Sequence, residues 1–144
     1  MSSEQIPRVI VMVADGPLMV GLPKIIAART AIHIPIASPP LPLAAIATTV
    51  VTGVSPIVHG IVTKGTVDDE TLEIREVTYE DRRFQTLWDG SSFDVKLINW
   101  PATKGDSRVT LYVTHTEFEQ AKLCLDADIL GIVLPQPART GHSL

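Results

Sequence analysis

A parallel-dominated α/β sandwich, a sheet flanked by helices, is the fold class this sequence predicts. Two nearly continuous apolar runs carry the prediction: Arg8 to Ala14 (RVIVMVA) and Ala127 to Leu134 (ADILGIVL). Runs without polar alternation suit strands that are covered on both faces, as parallel strands are. Between them, strand-like stretches alternate with helical ones, which is the pattern of an α/β sheet. The composition agrees. At 144 residues, with 45% hydrophobic and 19% charged residues, the chain suits one domain over 1–144 with a real core.

The first strand, Arg8 to Ala14, is closed by Asp15-Gly16-Pro17. Asp15 thus stands at the carboxyl end of a central strand, where open α/β sheets build their sites. Read from the residues alone, it caps the next element or bonds loop amides. Leu22 to Thr30 reads as a short helix with Pro23 in its first turn. Ala31 to Ala37 reads as an edge strand or an extended segment, because Pro35 cannot serve an interior ladder. His33, among apolar neighbours, is expected to be a packed, hydrogen-bonded histidine.

Pro39, Pro40 and Pro42 then forbid a helix, since proline fixes φ and offers no donor. LAAIATTVV runs unbroken after them, and Thr52-Gly53 stops it where a helix end wants a left-handed residue. Thr48 and Thr49 fall inside this helix, where packing or a bond to a carbonyl one turn back is their expected role. Pro56 and a tight His59-Gly60 turn follow, with His59 expected to bond backbone there.

Thr66 to Thr78 reads as a surface hairpin or a loop, and Asp68, Asp69 and Glu70 as its solvated turn. Glu80 to Trp88 reads as a helix, with Thr78 and Asp81 forming a capping box. Phe93 to Asn99 is the next strand and Trp100-Pro101 closes it. Arg108 to Val113 alternates as a strand. Thr116 to Leu125 is a helix, with Glu119 and Lys122 paired on its outer face.

The net charge of −4 does not suggest a general nucleic-acid binder. One cysteine, Cys124, allows no intrachain disulfide, and its helical position predicts a buried thiol. The first residues lack a basic segment followed by a long apolar run, and no stretch reaches the ~18 apolar residues of a membrane span. A cytoplasmic protein without membrane association is the expectation.

Several of these segments resemble one family. The proline-rich loop, Thr52-Gly53, the turn Pro56-Ile57-Val58-His59-Gly60-Ile61, Leu87-Trp88-Asp89 and Trp100-Pro101 are similar to motifs of the alkaline phosphatase superfamily, in its type I phosphodiesterase/nucleotide pyrophosphatase branch. The resemblance implies a site with two zinc ions that clamp a phosphate and activate a threonine or serine nucleophile at the mouth of the helix. Counting back from Thr52-Gly53, the nucleophile position falls on Leu43, which has no nucleophilic atom. Asp15 matches the first metal ligand. Pro137 to His142 matches a later ligand segment through His142, but Ala138 occupies its aspartate position. The family assigns Asp15 and His142 to different ions, so two of about six ligands hold neither ion well.

The resemblance therefore implies a truncated alkaline phosphatase-like core. The chain covers roughly the first half of the family's catalytic domain, with Asp15 and His142 as vestigial metal positions and no catalytic residue. Such a chain is expected to act by binding, as a homo-oligomer or with a protein partner, and without a cofactor. The alternative is a zinc-dependent phosphodiester hydrolase whose site is completed between subunits, adding Asp89 or His115. A third reading places a nucleotide or phosphate at the amino end of the Leu43 helix.

Overall fold

The structure is a computed structural model and describes residues 8–14 and 41–134. Among the described residues, four strands form one sheet: β1 (Val9–Ala14), β4 (Val95–Ile98), β5 (Val109–Tyr112) and β6 (Ile129–Leu134), in the order β1-β6-β4-β5. Every neighbouring pair is parallel, with Val11 and Leu97 flanking Gly131. The α/β class read from the apolar runs is the observed one. A separate antiparallel hairpin joins β2 (Gly65–Val67) to β3 (Ile74–Glu76), and Asp68 accepts the Glu70 and Thr71 amides at its turn. Asp68 thus serves the hairpin turn, while Asp69 and Glu70 are exposed.

Helix α1 (Leu43–Thr52) begins where the prolines end and stops at Gly53, whose φ of 73° is left-handed and whose N–H donates to the Thr49 carbonyl. Its inner face is Ala44, Ala45, Ala47 and Thr48, small enough for close approach. Pro56 opens the single-turn α2 (Pro56–His59), which Gly60 closes. Helix α3 (Glu117–Lys122) follows β5, with Glu119 and Lys122 3.5 Å apart.

The side chains divide between the two sheet faces by the period-two rule. On one face Val95, Leu97, Ile129 and Val133 pack with Trp88, Trp100 and the α1 residues Ala47 and Val51, and Val11 and Val13 join them. On the other, Ile98, Leu130 and Ile132 meet Cys124 and Ala121. The expectation of cover on both faces holds for β6 but not for all of β1. Ile10 and Met12 are each 51% exposed, because the short α3 lies against β4 and β6. No helix among the described residues is long and apolar enough to cross a membrane.

The helix expected over Glu80 to Trp88 does not form. Thr78 and Asp81 do make the reciprocal capping box, but only a 3-10 turn (Tyr79–Asp81) follows, and Arg82 is extended at ψ 132°. The backbone bonds elsewhere. The Arg83 amide donates to the His59 carbonyl and the Leu87 amide to the Val51 carbonyl, each at 2.8 Å. These are carbonyls that α1 and α2 leave open at their carboxyl ends. Tertiary pairing thus outweighs the local helix signal. The helix and extended segment expected over 22–37 lie outside the described residues.

Candidate functional site

Leu43 is the first residue of α1. Its side chain is half-buried against the core that Ala47, Trp88, Trp100 and Val133 share. The position where the resemblance implies a nucleophile is therefore a packing position. Asp15, Ala138 and His142 lie outside the described residues. Among the described residues, no group of three or more His, Cys, Asp or Glu side chains is placed to hold a metal ion.

His59 is completely buried. Its Nδ1 accepts the Ile61 amide at 3.1 Å, so the proton of the neutral ring sits on Nε2, 2.9 Å from Thr49 Oγ1. The ring staples α2 to α1, the backbone-bonding role expected from the sequence. Thr48 likewise donates to the Ala44 carbonyl one turn back. Burial pushes the His59 pKa below its ordinary 6.5, the Ala45 carbonyl opposes this, and Arg82 adds to it. A depressed histidine contributes stability that is complete above the unfolded value and is lost as pH falls through the folded one. Urea unfolding of the wild type is therefore expected to show stability falling as pH drops below 6.5. His59→Gln should flatten that slope; an unchanged slope would mean that the ring titrates freely.

Asp89, a candidate ligand in the subunit-bridging alternative, is committed to other partners. It accepts the Thr86 amide at 2.8 Å and pairs with Arg82 and Arg108. Asp106, Asp89, Arg82 and Arg108 together form a partly buried network of two carboxylates and two guanidiniums. It borders a cavity of about 340 Å³ that Tyr79, Arg83 and Gln85 also line. Its positive and negative charges balance, so it is built for holding loops together. His115, the other candidate, is exposed. The sequence gives no sign of the network, because 24 residues separate Arg82 from Asp106 in a chain where neither has a motif.

The carboxyl end of β4 holds a second feature that the sequence does not show. Asn99 and Ala102 both adopt φ of 56°, left-handed backbone that residues other than glycine seldom take. Asn99 is held there by its own amide, which donates to the Thr114 carbonyl and to Glu117, while its Oδ1 accepts the Thr114 amide. Between the two, Trp100 is buried and its Nε1 has no partner among the described residues. A hollow of about 420 Å³ opens beside them, walled by Trp100, Pro101, Leu111 and Val113. Asparagine before Trp-Pro is the one sequence signal for the first left-handed residue, since its short amide tolerates that region; Ala102 carries none.

No protein-family model matches this chain, and no curated protein matches it either.

Proposed function

We propose that this chain is a catalytically degenerate, phosphodiesterase-like α/β domain that works by binding a protein partner. The observation that carries the reading is Leu43, an aliphatic side chain packed into the core at the first residue of α1. Phosphoryl transfer through that position needs an oxygen nucleophile. Two further points support it. His59 spends both ring nitrogens on internal bonds, and Asp89 is neutralised by arginines. A cytoplasmic setting belongs to the same proposal, because Cys124 is a free, buried thiol.

The test is a zinc titration with a nitrophenyl phosphodiester as substrate. The expected rate equals that of zinc with no protein. Turnover above that level which disappears in Asp15→Ala would overturn the proposal.

A further inference from the structure

We infer that β5 is the seat of a symmetric dimer, in which a second copy of this chain pairs antiparallel along the same strand with Leu111 on the two-fold axis. The inference rests on the proposal that the chain works by binding, and it names the partner and the surface. Among the described residues β5 is the last strand of its sheet. Its hydrogen-bonding parity is fixed on the inner side. The Tyr112 carbonyl accepts the Asn99 amide at 2.8 Å, so Thr110 and Tyr112 turn their backbone groups toward β4. Leu111 and Val113 therefore turn theirs outward.

Edge strands are ordinarily protected by lysine, proline, a bulge or an inward charge. From Val109 to Thr114 the sequence is VTLYVT, with none of these. Val113 is 85% exposed. Leu111 and Val113 also wall the hollow beside Trp100, which Glu76 and Lys104 line as well.

A second copy meets these demands in one register. With Leu111 opposite itself, Val109 falls opposite Val113 of the other copy. All three apolar pairs then share one face, since residues directly opposite in an antiparallel pair point the same way. Outward amides meet outward carbonyls at the Leu111 pair, and each Val113 amide meets the Val109 carbonyl of the other copy, while the Val109 amide keeps its 3.4 Å bond to the Asp106 carbonyl of its own chain. A slip of two residues would set Val113 against Ser107, or Val109 against His115, and lose apolar contact. The strand is thus its own best complement, and its uncharged edge brings no like charges together. An edge of this length covers less than the roughly 800 Å² per partner of a standard interface, so the expected dissociation constant is micromolar.

The experiment is analytical ultracentrifugation of the full chain over a concentration series, for the wild type, Val113→Lys, Val113→Pro and the control Ile57→Lys on α2. The expected result is a wild-type dimer that the control retains. Each Val113 variant should weaken it at least about tenfold, since each puts a charge or a missing donor at the pairing edge. A monomer at every concentration, a dimer that both Val113 variants leave intact, or equal loss in Ile57→Lys would each overturn the inference. Amide exchange in the wild type reads the same edge without substitution. Leu111 and Val113 amides should become more protected as concentration rises, and rapid exchange independent of concentration would also overturn it. These outcomes are separate from phosphodiester turnover: a monomer leaves the binding proposal open to another partner, whereas turnover removes that proposal whether or not the chain dimerises.

Discussion

Gly131→Val is expected to abolish the folded state, and Gly131→Ala to destabilise it by about 2 kcal/mol in urea unfolding. Gly131 lies in the middle of β6, between Val11 of β1 and Leu97 of β4. A Cβ there would stand 2.6 Å from Leu97 Cδ2 and 3.0 and 3.1 Å from two carbons of the Trp100 ring. Both side chains are buried, and Trp100 sits between two left-handed residues that fix its backbone. Neither can swing into solvent. The competing effect is entropic: replacing glycine by alanine restricts the unfolded chain and stabilises the fold by about 0.4–1 kcal/mol where the site has room. The close approach of three atoms decides for the clash.

The same geometry predicts a rescue. Leu97→Val removes the δ carbon that would be struck. The double variant Gly131→Ala/Leu97→Val should therefore be more stable than the sum of the single losses requires, by about 1 kcal/mol. A neutral or stabilising Gly131→Ala would mean that the sheet packs more loosely here than the distances imply.

Glycine in ADILGIVL is visible in the sequence, but its reason is not, because the striking atoms come from another strand. That contrast runs through the molecule. Strands β1 and β6 were legible because parallel burial writes itself as nearly unbroken Val, Ile and Leu runs, and β5 because its apolar residues alternate. Helix α1 was legible because Pro42 and Gly53 bound it with residues that act on their own backbone. The capping box at Thr78 and Asp81 was legible for the same local reason. What it could not report is whether a helix continues. That was settled by carbonyls of His59 and Val51, 24 and 36 residues before the amides that reach them. Of the candidate site, Leu43 was legible as an aliphatic residue just past the prolines, but its packing beside Trp88 and Trp100 was not, since those rings come from later segments. The left-handed backbone at Ala102 and the arginine–aspartate network were illegible, since each depends on partners that only the fold assembles.

Asp106→Ala is expected to cost about 3 kcal/mol, the low end for a broken buried ion pair. The Asp106 side chain is 1% exposed and accepts Arg108 Nε at 2.8 Å, Arg108 Nη2 at 3.0 Å and the Arg108 amide at 3.0 Å. Arg82, 5% exposed, lies 3.9 Å from it and 3.5 Å from Asp89. Without Asp106, Arg82 keeps one carboxylate at a distance too long for a strong bond and has little water to turn to. Arg108, at 44% exposed, can turn to solvent, which is why the low end applies. Asp126→Ala is the control. It removes the Lys96–Asp126 pair, whose acid is 54% exposed, and should cost far less than Asp106→Ala, because solvent screens that pair. The pH dependence supplies an independent check. Burial alone would raise the Asp106 pKa, but the Arg108 bonds outweigh it and hold the carboxyl below its ordinary 3.8. A depressed carboxyl contributes stability that is complete above the unfolded value and is lost as pH falls through the folded one. The gap between wild type and Asp106→Ala should therefore be widest near neutrality and shrink in urea titrations taken below pH 3.8. A gap of constant size down into that range would show that the carboxylate's shape, not its charge, holds these loops.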